Sequence, residues 1–152
     1  MLRMTGITKE NWPEAASLSV REDQKGYLAS AVGILARGYV YRDLHGRVIL
    51  FEDGGVPVGL ALVRDFSEEP LGYDLQQFMI DRRYQGRGYG SLALAMLLED
   101  LGNEGRFDRV EVCVKRENAA ALRLFRKHGF RESGYVDPSL PDSVSLVLSL
   151  RS

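Results

Sequence analysis

The sequence predicts an α/β protein, a mixed sheet flanked by helices within one domain spanning residues 1–152. Three observations carry this. Short apolar and β-branched runs alternate with segments of helical period along the whole chain. The 152 residues are 45% hydrophobic and 27% charged, a globular composition sized for a single core. No repeat or low-complexity linker divides them, and the longest apolar run, Leu92–Leu98, is far below the about 18 residues that suggest a membrane span.

The elements follow in order. Leu2–Ile7 reads as a first strand. Thr8–Pro13 turns into a helix that runs to about Val20, with Pro13 in its first turn. Tyr27–Arg37 is predicted as a second helix closed by Gly38. Arg47–Glu52 and Val56–Arg64 flank Asp53-Gly54-Gly55, a hairpin signal. Phe66–Gly72 is a loop, and Leu75–Ile80 is a strand that runs into a glycine-rich stretch. Ser91–Leu101 is a helix apolar almost all round, ended by Gly102–Gly105. Arg109–Val114 is a β-branched strand, Asn118–Lys127 a helix, and Phe130–Tyr135 and Val144–Leu150 two closing strands. The predicted order is β-α-α-β-β-β-α-β-α-β-β.

Composition excludes several classes. A net charge of −1 argues against bulk nucleic-acid binding. Cys113 is the only cysteine, so no internal disulfide forms, and a reducing cytoplasm is the expected location. The opening residues lack the apolar core of a signal peptide, and no membrane association is expected. Cys113 lies on an interior strand without a His/Asp pairing and reads as a buried small hydrophobe. His45 and His128 form no metal-ligand cluster, so no metal is expected.

The chemistry concentrates at Tyr84–Gly90, "YQGRGYG". A strand, a glycine turn and a helix form an anion site, because the first N–H groups of a helix lack internal partners and carry the positive end of its dipole. The Walker A spacing fails, since no lysine follows Gly90, and G-x-G-x-x-G fails because the spacing is G-x-G-x-G. A Q-x-x-G-x-G pattern remains: Gln85, Gly88 and Gly90, with Arg82, Arg83 and Arg87 suited to a polyanion. Downstream stands "VKRENAAALRLFRKHGF", in which Asn118, Ala121, Leu124, Phe125, Lys127, Gly129 and Phe130 fit N-x-x-A-x-x-L-[YF]-x-K-x-G-F.

Together the two motifs resemble the GNAT superfamily of acetyl-CoA-dependent N-acetyltransferases. Leu18–Ala36 and "FMIDRRYQGRGYG" further resemble its bacterial polyamine acetyltransferase branch. The resemblance implies a GNAT-like α/β (α+β) fold with a mostly antiparallel sheet flanked by helices. It implies that Gln85, Gly86, Arg87, Gly88, Tyr89 and Gly90 cradle the coenzyme A pyrophosphate, with Ser91 also binding the coenzyme. Phe78, Met79 and Ile80 would hydrogen-bond the pantetheine arm as an added strand, in a slot splayed open against Arg109–Val114. Asn118 would cap its helix and contact the arm, with Phe125 and Lys127 completing the coenzyme set.

Two positions depart from the family pattern. Phe125 stands where many relatives carry a tyrosine that protonates the departing thiolate, and Gln76 where some carry a basic glutamate. Asp74, two residues from Gln76, is the candidate general base; Glu22 and Asp23 are others. The expected reaction is acetyl transfer from acetyl-CoA to a primary amine in a ternary complex. Glu22, Asp23, Glu68, Glu69 and Asp74 favour a polyamine or other small amine, while amino acids, aminoglycosides and protein N-termini stay open. The competing expectation, resting on Phe125 and Gln76, is a catalytically weak acyl-CoA-binding regulatory module. The closing strand, alternating from Ser143 to Leu150, is expected to form an exposed edge and to support a homodimer.

Overall fold

The computed structural model describes residues 1–151. Its elements follow the predicted order: β1 (Leu2–Thr5), α1 (Trp12–Ala16), α2 (Ala31–Val40), β2 (Arg47–Asp53), β3 (Val56–Asp65), β4 (Tyr73–Ile80), α3 (Tyr89–Glu104), β5 (Arg109–Lys115), α4 (Ala119–Lys127), β6 (Arg131–Glu132) and β7 (Ser143–Ser149). Among the described residues, seven strands form one sheet in the order β1-β2-β3-β4-β5-β7-β6. Every neighbouring pair is antiparallel except β4 and β5.

Both faces of the sheet are covered. Leu94, Leu97 and Leu101 of α3 and Phe125 of α4 pack with Phe51, Val63, Leu75 and Val112 on one face. Ala15 of α1 and Ala31 and Ile34 of α2 pack with Leu50, Leu60 and Leu62 on the other. A central strand buried on both sides needs apolar residues at consecutive positions, which accounts for the unbroken run Val58–Val63.

Several boundaries differ from the sequence expectation. α1 ends at Ala16 and not near Val20, with the Ser17 N–H turned back to Glu14 and Ala15 carbonyls. α2 starts at Ala31, where Ser30 Oγ accepts from Gly33 N–H at 3.1 Å, and continues through Gly38 to Val40. Gly38 does not terminate this helix; it lets α2 approach β2, since a Cβ there would lie 2.6 Å from Val48 Cγ2. β1 stops at Thr5, β4 begins at Tyr73, and β6 keeps only Arg131 and Glu132. α3 runs from Tyr89 through Gly102 to Glu104 and is not buried all round: Leu92 is 55% exposed. The closing strand β7 is not an edge, because it lies between β5 and β6 and the β6 residues pair with Val147 and Leu146. The edge expected to support a dimer is therefore covered there.

Candidate active site

Two irregularities in β4 build the site. Its register against β3 slips between Leu62, opposite Gln77, and Val63, opposite Leu75, so Gln76 is the extra residue of a bulge. The bulge shifts side-chain parity. Tyr73 and Leu75 face α3 before it, and Phe78 and Ile80 face the same way after it. On the other edge, β4 pairs with β5 only at Tyr73–Val110 and Asp74–Glu111. Beyond Asp74 the two parallel strands part, and the β5-facing edge of β4 is left without a strand partner.

The opening holds a slot and a cavity. The slot is walled by Gln76, Gln77 and Phe78 on one side, by Cys113, Val114 and Lys115 on the other, and by Asn118 at the head of α4 and Phe125 further along that helix. It runs into a larger cavity of about 330 Å3, lined by Phe78, Met79, Ile80, Gln85, Gly86, Gly90, Asn118 and Phe125, with Tyr27 and Leu28 as its outer wall. Gln85 ties this wall to the turn: its Nε2 donates to Ile80 O and to Gln24 Oε1, each at 2.9 Å.

The glycine turn is an exposed helix end. Gly86 and Gly88 lie at φ +77° and +86°, and a Cβ on either would meet nothing within 4 Å. Leu92 N–H bonds Gly88 O at 3.2 Å, so the N–H groups of Tyr89, Gly90 and Ser91 precede the first bond within α3. Arg83 is paired with the buried Asp81, while Arg82 and Arg87 make no ion pair among the described residues.

The chemistry of this arrangement is matched by comparison with known proteins. The model of the acetyltransferase (GNAT) family matches residues 6–130. The chain belongs to the GNAT acetyltransferase family. It is 28% identical over 148 residues to a spermine/spermidine N(1)-acetyltransferase of Bacillus subtilis, covering 90% of this chain and 91% of that protein. Among solved structures it resembles the spermidine N-acetyltransferase of Vibrio cholerae in complex with CoA and spermine, with TM-score 0.74, 16% identity and coverage of 98% and 95%. It also resembles the ribosomal-protein-S18-alanine N-acetyltransferase of Escherichia coli, with TM-score 0.73, 18% identity and coverage of 100% and 96%.

This GNAT chain is an acyltransferase, and acetyl-CoA is its acetyl donor. The residues fit that donor. The side-chain-free surface over Gly86 and Gly88, beside unpaired helix N–H groups and two unpaired arginines, suits a pyrophosphate. The unpaired edge of β4 suits an extended arm with amide groups. Among the described residues no group of three or more His, Cys, Asp or Glu side chains is placed to hold a metal ion.

The predicted coenzyme-binding residues fall in three places. Phe78, Met79, Ile80, Gln85, Gly86, Gly90, Asn118 and Phe125 line the large cavity. Arg87 and Gly88 lie exposed on the adjoining turn. Tyr89, Ser91 and Lys127 stand off the cavity wall: Tyr89 Oη donates to Asp53 Oδ2 at 2.5 Å, Ser91 Oγ bonds His128 Nε2 at 2.9 Å, and Lys127 is exposed on the last turn of α4. Asn118 caps α4, its Oδ1 accepting from Ala121 N–H at 3.3 Å, and also lines both slot and cavity. Phe125 is 4% exposed between Phe78 and Phe130, at 6.1 and 5.3 Å between ring centroids, while one face lines the slot.

Asp74 opens into a third space of about 250 Å3 on the far side of the slot, together with Gln76, Glu111, Cys113, Asp137 and Ser145. Its Oδ2 accepts from Arg64 Nε at 2.9 Å, yet burial is the larger influence and pushes its carboxyl above the ordinary range. Gln76 and Cys113 line both this space and the slot, so the two meet between them. Cys113 is exposed and not buried as expected. It lies on the face of β5 that carries Glu111 and Lys115, and burial of part of the thiol pushes its pKa up. Glu22 and Asp23 pair with Lys25 and Arg21, and Glu68 and Glu69 are exposed on the β3–β4 loop; none lines this space. The sequence reading missed Glu111, Asp137 and Ser145. Alternation of Val110, Val112 and Val114 with Arg109, Glu111 and Cys113 was the signal that could have put Glu111 and Cys113 on a common face.

Proposed function

We propose that residues 1–152 act as one N-acetyltransferase domain that transfers acetyl from acetyl-CoA directly to a primary amine, with a polyamine or similar small amine as acceptor. The observation that carries this is the meeting of two spaces, one suited to the coenzyme arm and one bearing carboxylates, between Gln76 and Cys113. The spermine/spermidine acetyltransferase relative and the spermidine acetyltransferase complex support the acceptor class.

Acetyl-CoA supplies an acyl group activated as a thioester. A backbone N–H on the open edge of β4 within Phe78–Ile80 would polarise its carbonyl. The two openings face each other across the Gln76–Cys113 throat, so amine and thioester meet by position. An alkylammonium of pKa about 10.4 must lose a proton before its nitrogen attacks. Asp74 accepts that proton on Oδ1, since Oδ2 is held by Arg64; its raised pKa makes it a stronger base than an exposed aspartate. The N–C bond forms as the C–S bond breaks, the sulfur leaves as a thiolate, and the acylated nitrogen sheds its second proton to solvent, which leaves a neutral amide. Phe125 cannot protonate it, and a thiol of pKa about 8.5 departs without that help.

The test is thiol release from acetyl-CoA over a panel of spermine, spermidine, amino acids and aminoglycosides. Amine-dependent release is expected, highest with the polyamines. Release no faster than hydrolysis with every amine would refute the reading.

A further inference from the structure

The space beyond the Gln76–Cys113 throat is charged unevenly. Its lining carries three carboxylates, Asp74, Glu111 and Asp137, against one basic side chain, Arg64. Asp74 is paired with Arg64 and Glu111 with Arg109, at 2.9 and 3.1 Å. Asp137 makes no ion pair among the described residues; its Oδ1 accepts only from Ser139 N–H and Oγ–H, at 2.9 and 2.7 Å. One negative charge on the wall formed by the β6–β7 loop is therefore left over.

A second, independent observation points to a ligand. Ser145 is 8% exposed, its Oγ is buried without any hydrogen-bond partner, and it lines the same space. Ser145 stands opposite Cys113 in the β5–β7 register, which sets it beside the throat. A buried hydroxyl with no partner is costly unless a ligand supplies one.

We propose that this space takes an amine bearing a second cationic nitrogen, the reacting nitrogen lying at the throat against Ser145 Oγ and the second ammonium held by Asp137. The inference rests on the amine-acetylation reading above and adds how the acceptor is chosen. Selectivity comes from the distant charge, because Asp74 and Gln76 meet any primary amine alike. A monoamine leaves Asp137 unpaired, and a zwitterionic amino acid brings its carboxylate into a space already in excess of negative charge.

The test compares spermidine with n-butylamine on the full chain, by thiol release from acetyl-CoA and by calorimetric titration of each amine into the coenzyme A complex. The wild-type chain is expected to favour spermidine in kcat/KM. Asp137→Asn, which keeps the Ser139 turn able to form, is expected to lower the spermidine-to-butylamine ratio about tenfold, chiefly through the spermidine KM. Ser145→Ala is expected to weaken spermidine binding while leaving Tm at or above the wild-type value. A ratio unmoved by Asp137→Asn, or a wild-type preference for butylamine or an amino acid, overturns the proposal. Thiol release no faster than hydrolysis with every amine defeats the acetylation reading instead. In that case the titration still decides, with spermidine binding weakened about tenfold in Asp137→Asn supporting the site and undetectable spermidine binding overturning it.

Discussion

Gly88→Val separates two roles that the glycine turn combines. Gly88 sits at φ +86°, where an L-residue is strained, and a Cβ there meets nothing within 4 Å, so no core atom is displaced. Strain of this kind costs about 1–3 kcal/mol. For a chain of this size that lowers Tm by roughly 2–12 °C, at about 2–4 °C per kcal/mol. The branched side chain would fill the surface at the start of α3 and remove charge-assisted N–H contacts to a phosphate, weakening coenzyme A by about ten- to hundredfold. At a concentration of about 100 times Kd, the coenzyme stabilises the wild-type chain by about 2.7 kcal/mol, a rise of roughly 5–11 °C. With Kd raised a hundredfold the same concentration gives a rise of about 1 °C. Gly55→Val is the matched control: it lies at φ +82° in the β2–β3 turn, also with nothing within 4 Å of a Cβ. Melting curves with and without coenzyme A should show both variants destabilised and only Gly88→Val deaf to the ligand. A full coenzyme shift in folded Gly88→Val, or a lost shift in Gly55→Val, would refute the cradle.

Asp74→Asn should lower kcat by about 10²–10⁴-fold, the usual contribution of a positioned base. A base must be ionised to act, so wild-type activity falls as pH drops through the carboxyl pKa that burial raises above 3.8; pH–rate profiles should show this acid limb and lose it in the variant. Phe125→Tyr should keep coenzyme binding and raise turnover if thiolate departure limits the rate. Unaltered turnover with a Tm loss matching about 1–3 kcal/mol of unsatisfied hydroxyl would place the ring in the core alone. Burial, aided by the charge of Lys127, holds His128 below its ordinary 6.5. The unfolded chain then binds a proton that the folded chain refuses, so stability present above that value is lost as pH falls from it through the lower folded pKa. Tm measured across that window should decline more steeply for the wild-type chain than for His128→Gln.

Much of the fold was legible because local signals and global packing agree. The Asp53-Gly54-Gly55 turn, the Asn118 cap and the strand–glycine–helix passage each appear where short-range chemistry demands them. Gly38 misled because a helix terminator and a packing glycine look alike in sequence; only the approach of Val48 distinguishes them. The coenzyme side of the proposed site was legible in motifs, as the groups proposed to hold the coenzyme are backbone atoms flanked by recognisable glycines. The acceptor side was poorly legible. Its residues are gathered from β4, β5, β7 and the β6–β7 loop, and the bulge at Gln76 that turns β4 toward them leaves no composition signal. Charged residues adjacent in sequence, such as Glu68 and Glu69, drew attention away from Asp137, which reaches the site only through tertiary structure.

A crystal structure of the chain with coenzyme A and spermidine tests the arrangement most directly. The pyrophosphate should accept hydrogen bonds from the N–H groups at Gly88–Ser91, the pantetheine amides should pair with the open edge of β4, and the sulfur should lie near the Gln76–Cys113 throat. The spermidine nitrogen nearest it should come from the Asp74 side. Coenzyme bound away from the glycine turn, or both ligands entering from the same side of the splayed strands, would contradict direct transfer across that throat.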